Sequence, residues 1–259
     1  MQQVLAIALT GMQQDMDHLD RAAQNMVNMA TPGYKREVAL ARPFVTMLDN
    51  ITAAADGATT VDVAAAMTRP LVLVDTSSGS LKTTGQPLDI ALSGDGFFEI
   101  STPQGTAYTR QGNFSVDASG RLVTASGDAV MGKSGEIRLV TRTPVVDAAG
   151  NITEPNAPAG SATSSDGSPV AQIKVVRFDD TRQMQHLGAG LLSSGTNPKA
   201  VTDVTARVHQ GQLEASNTNT MQEMVQVMQT MRHFESMQKI AQGYDDLLST
   251  AINKLGDLS

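Results

Sequence analysis

The sequence predicts an α+β protein: N- and C-terminal helices paired as a coiled coil, plus a central all-β domain. Three observations carry this. Apolar residues recur with steps of four and three over both chain ends. The region between them alternates short apolar runs with turn residues every 8–12 positions or so. Gly and Pro are nearly absent from the C-terminal forty residues but punctuate the middle.

Residues 1–30 read as one helix. Its seam is Leu5, Leu9, Met12, Met16, Leu19, Ala23, Met26 and Ala30. Thr31-Pro32-Gly33 ends it, because Pro cannot extend a helix and Gly accepts positive φ. Such a helix would be about 45 Å long, and its single narrow stripe calls for a partner. Residues 36–68, rich in Ala and Thr, read as an extended connector. Residues 69–213 carry the strand-like runs Leu71–Val74, Leu88–Leu92, Phe97–Ile100, Phe114–Val116, Arg121–Thr124, Ile137–Val140 and Ile173–Phe178. Residues 154–169 have no periodicity and read as an exposed loop. The closing helix is expected from Asn219, whose side chain can cap it, with Gln222 completing a capping box. Its seam is Val227, Met231, Phe234, Met237, Ala241, Tyr244, Leu248, Ala251, Leu255 and Leu258. The 3–3 step at Phe234–Met237 reads as a stammer that would locally overwind the pair. The domains expected are 1–35 and 214–259 as one helical domain, 36–68 as connector and 69–213 as a β domain. Ten of the 14 methionines fall in the two terminal helices. Met suits core filling, and also surfaces that meet several unlike neighbours.

Composition narrows the function. With 259 residues and no cysteine, disulfides, thiolate metal sites, iron–sulfur clusters and a cysteine nucleophile are excluded. A net charge of −7 with thinly spread Lys and Arg speaks against nucleic acid or an anionic membrane as partner. No apolar run approaches the ~18 residues of a membrane span, so no membrane insertion is expected. The N-terminus lacks a basic n-region and an A-x-A-like site, and does not read as a cleaved Sec signal peptide.

Gly127-Asp128-Ala129-Val130-Met131-Gly132-Lys133-Ser134 matches the phosphate-binding pattern G-x-x-x-x-G-K-[ST]. A working P-loop follows a strand and opens a helix. Here Gly135–Val140 reads as another strand, so an NTPase is only the competing class. His18, His186, His209 and His233 have no companion at metal-ligand spacing. His18 and His233 are expected to face solvent or another subunit. The pairs Asp179-Asp180 and Asp245-Asp246 read as solvated surface, since neighbours along a helix do not face each other. No catalytic, cofactor or metal residue emerges, and no small-molecule substrate is implied.

The residues themselves carry a resemblance. The run from Asn25 to Arg36, which includes Asn28, Thr31, Pro32, Gly33 and Tyr34, resembles the N-terminal signature of bacterial flagellar rod and hook proteins. Gly85–Leu92, with Leu88 and Asp89, and Gly94–Ile100, with Gly94, Gly96, Phe97 and Phe98, are similar to the family's central motif. Tyr108–Phe114 and Gly120–Thr124 continue it. Gly211–Asn219, with Ser216, Asn217 and Asn219, resembles the signature opening the C-terminal helix. Thr218 departs, since the family usually has an apolar β-branched residue there. The resemblance implies a structural axial subunit, not an enzyme. Its terminal helices would pair in an inner layer around a hollow axis, with the β domain outside. It would assemble with copies of itself and other flagellar rod proteins, and leave the cell through the flagellar type III export apparatus to a periplasmic rod. The assembly interface would comprise Leu5, Leu9, Met12, Met16, Leu19, Met26, Val227, Met231, Phe234, Met237, Tyr244, Leu248 and Leu255.

Overall fold

Helix α1 covers Gln2–Val27 and runs into a single 3-10 turn at Asn28–Ala30. Helix α2 covers Thr220–Gly256. The structure, a computed structural model, describes residues 2–40, 71–154, 169–178, 181, 184–194, 199–200 and 206–256. The connector at 41–68, the loop at 155–168 and Leu258 lie outside the described residues, as do the side chains of Leu5, Leu248, Ala251 and Leu255. By its contacts the chain divides into two units. One holds 1–27, 37–72 and 219–259; the other holds 28–36 and 73–218.

In the first unit α1 and α2 lie antiparallel. Gly11 faces Met237, Asp15 pairs with His233 at 2.7 Å, and Asn25 Nδ2 reaches Glu223 Oε2 at 3.5 Å. Each step forward in α1 thus meets an equal step back in α2. Asn25 also brackets the backbone of Glu37, donating to its carbonyl and accepting from its N–H, both at 2.9 Å. At the start of α2, Asn219 Oδ1 accepts from the N–H groups of Met221 and Gln222 at 3.1 and 3.4 Å. That is the expected N-cap, satisfying donors the first turn would otherwise leave unpaired.

The facing surfaces differ from the seams expected. The buried positions of α1 are Ala8, Asp15, Ala22 and Asn25, with Gly11 between them. Leu9 and Met16 are 55% and 58% exposed, and Ala23 and Ala30 are exposed too, so half of the expected seam lies one residue off the contact. Met12, Leu19 and Met26 flank it, half-buried. On α2 the sheltered positions are Glu223, Val227, Thr230, Phe234, Met237, Ala241 and Tyr244, while Met231 is 53% exposed. Thr230 takes the place given to Met231. The steps are then four and three throughout, so the expected stammer is absent. On α1 the contact is made by small and polar groups, whereas α2 presents the larger Val227, Phe234, Met237 and Tyr244. His233 is exposed to solvent, as expected, and also pairs with Asp15.

The second unit is antiparallel β-structure. Its largest sheet runs, in spatial order, Gln185–Gly188, Leu191–Ser193, Gly105–Thr109, Phe97–Thr102, Ala129–Gly132, Leu122–Val123 and Ser115–Val116. Arg207–Gln210 pairs with Ile90–Ser93, and Gln212–Glu214 with Leu81–Thr83, so the end of the β region closes on its beginning. Ile90, Leu92, Phe98, Ile100, Leu122, Val130, Ile137 and Ile173 sit in one core cluster, where Phe98 meets Phe114 edge-on at 5.2 Å. Phe97, Tyr108, Phe178 and Met184 form a second cluster on the other face of the sheet. This follows from the alternation of side chains along Phe97-Phe98. Ile137–Val140 is not the strand expected. Ile137 and Leu139 are buried, but only Arg138 forms a bridge, to Arg121.

Two hairpins repeat one design. Asp117 Oδ1 accepts from the N–H groups of Ser119 and Arg121, and Oδ2 pairs with Arg121 Nε. Asp147 does the same with the N–H groups of Ala149 and Asn151 and with Asn151 Nδ2. Gly120 and Gly150 take positive φ in both. The segments Val116-Asp-Ala-Ser-Gly and Val146-Asp-Ala-Ala-Gly match in sequence as well. Hydrogen bonds from Ser119 and Arg121 hold the Asp117 carboxyl well below the usual aspartate range.

Gly94 and Gly96 both have positive φ, at 92° and 151°. A Cβ on Gly96 would stand 2.7 Å from Val175 Cγ1. Gly96→Val should therefore destabilise the β unit by about 1–3 kcal/mol. Thermal melting of the isolated unit would show this, and an unchanged midpoint would refute it.

Candidate functional site

The three stretches singled out in the sequence converge inside the second unit. Lys35, Arg110 and Glu214 all lie at 2% exposure or less. Glu214 Oε1 accepts from Lys35 Nζ at 2.7 Å and from the Gly79 N–H at 2.8 Å. Its Oε2 accepts from Arg110 Nη1 at 3.2 Å. Lys35 also donates to the Ser77 carbonyl at 2.6 Å, and Arg110 Nη2 to the Gly94 carbonyl at 2.6 Å. The Arg110 guanidinium lies 5.2 Å from the centre of the Phe97 ring. Burial pushes the Lys35 ammonium below its ordinary range, and Glu214 pulls it back up. Arg110 is lowered by burial and raised by Glu214 in the same way. Two buried cations thus share one buried carboxylate. This makes the triad a clasp, since loss of the carboxylate would strand both.

Backbone contacts tighten the same junction. The Gly33 N–H donates to the Glu214 carbonyl at 2.7 Å, and the Asn217 N–H to the Tyr34 carbonyl at 3.3 Å. Asn217 Oδ1 accepts from the Arg36 N–H at 2.8 Å, while its Nδ2 donates to the Asp75 carbonyl at 2.8 Å. Gly33 has φ +65°, and a Cβ there would overlap the Arg110 carbonyl. Tyr34 stacks on His186, centroids 5.1 Å apart, and His186 Nε2 lies 2.8 Å from the Lys35 carbonyl oxygen.

The remaining motif residues shape turns. Thr31 bonds Asn28 through its N–H and its hydroxyl, and Pro32 follows, half-buried. Leu88 packs on the core, and the Asp89 carbonyl accepts from the Gly211 N–H at 2.7 Å. Ser216 Oγ lies 3.0 Å from Thr218 Oγ1 and accepts from the Thr218 N–H, so the hydroxyl at the departing position is used. Lys35, Arg110, Glu214 and Gly79 were not singled out from sequence. Arg110 and Glu214 are each the single charged residue of their motif strings, which is the one signal the sequence carries for them.

The phosphate-binding pattern falls in a hairpin. Ala129–Gly132 pairs with Gly135–Glu136, and Lys133 and Ser134 form the turn. The helix N-terminus that holds phosphate in a P-loop is missing there. Among the described residues no cluster of three or more His, Asp or Glu could hold a metal ion. No described helix is long and apolar enough to cross a membrane.

Residues 91–168 match the model of the flagellar hook protein FlgE/F/G D1 domain. Residues 209–254 match that of the flagellar basal body rod FlgEFG protein C-terminal region. The flagellar basal-body rod protein FlgG of Bacillus subtilis is 29% identical over 95% of this chain and 96% of its own. FlgF of Escherichia coli is 29% identical over 95% of each. FlgF of Caulobacter vibrioides is 31% identical over 248 residues, 93% of each chain. At that identity and coverage the chain belongs to the flagellar basal-body rod protein family.

Proposed function

We propose that this chain is a structural subunit of the flagellar basal-body rod, of the proximal, FlgF-like kind. It assembles helically with copies of itself and other rod proteins into the shaft that transmits torque. The terminal helices pair as a coiled coil and pack side by side around the rod axis, and subunits reach the periplasm through the flagellar type III apparatus. The observation that carries this reading is apolar surface left over after α1 and α2 have met. Leu9, Met16, Met221, Met224, Met228 and Met231 remain about half or more exposed. Contiguous exposed apolar rows mark surfaces that meet a partner, and in a rod subunit the partner is another rod chain. The role is structural, with no catalysis. Relatives named FlgF are 29–31% identical to the chain and relatives named FlgG 26–29%, so the FlgF-like reading rests on the tag experiment below.

Deleting the chain from the bacterium that encodes it should abolish swimming, and a tagged copy should appear in purified basal bodies. Density for the tag at the membrane-side end of the rod supports the FlgF-like reading; density at the far end makes the chain FlgG-like.

The free subunit has a matching signature. The pair buries only one narrow face of each helix, and most helical stability comes from packing. The helices at 2–27 and 220–256 should exchange amide hydrogens rapidly in dilute monomer and slowly in assembled rods, whereas the clasp residues 33–36 and 215–218 stay protected in both. Full protection of both ends in the monomer would contradict this.

A further inference from the structure

On each helix part of the leftover apolar surface lies in a stretch that lacks exposed charge, while Val27 on α1 and Ile240 and Leu247 on α2 are exposed outside it. On α2, Met221, Met224, Val225, Met228 and Met231 are all 48% exposed or more. At about 100° per residue they form a stripe roughly 140° round the helix from the positions that shelter against α1. Between Thr220 and Met231 the only ionisable residue is Glu223, which is buried. Gln222, Gln226 and Gln229 line a shallow groove with Met221 and Val225. Beyond Met231 the exposed residues include Arg232, Glu235 and Lys239.

Helix α1 carries a counterpart. Residues 2–14 contain no ionisable side chain. Leu9, Gln13 and Met16 form an exposed row roughly 150° from the face that meets α2. Further along, the outward row includes Asp20. The two uncharged stretches are each about 20 Å long. Because the helices are antiparallel, the stretches lie at opposite ends of the pair. They therefore cannot cover each other within one chain.

We infer that the Met stripe at the start of α2 receives the N-terminal half of α1 from a second copy of this chain. The inference rests on the rod reading above and names the contact that would build it. Charge selects the occupant: bringing a charged face onto an uncharged one strips the charge of water without a partner. The N-terminal half of α1 is the exposed helical row here that avoids this. The contact is heterologous, two unlike surfaces, so it leaves a free stripe at each end and propagates; a stripe-to-stripe contact on α2 would close as a dimer. Met suits the position, because its side chain adapts to neighbours that need not be identical.

The cysteine-free chain makes the contact directly testable. Leu9→Cys and Met228→Cys are expressed separately and together in the native bacterium, and basal bodies are treated with a short bis-maleimide. Co-expressed variants should give a cross-linked dimer, and neither variant alone should. Val225→Cys in place of Met228→Cys should behave alike and serves if the first fails to assemble. A dimer from Met228→Cys or Val225→Cys alone, or none from mixed rods in swimming cells, overturns the contact while leaving the rod reading intact. Absence of the chain from basal bodies removes the rod reading, and this contact with it.

Discussion

Glu214→Ala is expected to lower the melting temperature of the β unit by roughly 10–15 °C. Glu214 is the only buried carboxylate touching Lys35 and Arg110 among the described residues. Removing it leaves two buried cations with carbonyl acceptors alone. Breaking a buried pair in this way costs about 3–5 kcal/mol. For a unit of some 150 residues each kcal/mol moves the midpoint by about 2–4 °C. A triple replacement, Lys35→Met with Arg110→Met and Glu214→Leu, should recover much of the loss, because an apolar substitute avoids the cost of burying charge. Calorimetry of the three proteins decides the matter. A shift under about 3 °C for Glu214→Ala would show that the triad is hydrated and that its geometry stabilises little. If the triple variant instead melts as low as the single one, the clasp contributes more than its burial cost.

Both helices were visible because periodicity over thirty residues is a strong signal, and the Asn219 cap was visible because it is local. Most strands were visible from the turns between them, as at Gly94-Asp95-Gly96. The clasp was not, because Lys35 and Glu214 are 179 positions apart and nothing near either announces the other. The helix faces were legible only in part. Each helix carries two apolar or small stripes, and hydrophobicity alone does not say which meets the partner within the chain. In α1 the answer was the stripe of Ala8, Gly11, Asp15 and Ala22, where close approach and a pair with His233 outweigh side-chain size. Leu9 and Met16, the larger residues, were left outside.

Phe234→Asp should separate assembly from folding. Phe234 is half-buried on the α2 face that shelters against α1, between Thr230 and Met237. Truncating a fully buried Phe costs about 3–5 kcal/mol, and roughly half of that applies to a side chain half in water. Aspartate adds the cost of placing a charge in a packed layer. Neither loss reaches the β unit, which does not include residue 234. The variant should therefore show the wild-type melting transition for its β unit, yet weaker helical circular dichroism. In the native bacterium it should be made but absent from basal bodies, and the cells should lack filaments. Phe234→Leu, which keeps an apolar side chain, should still allow swimming. Normal swimming with Phe234→Asp would show that the inner face of α2 is not needed to build the rod, and that the exposed stripes act without the helix pair beneath them.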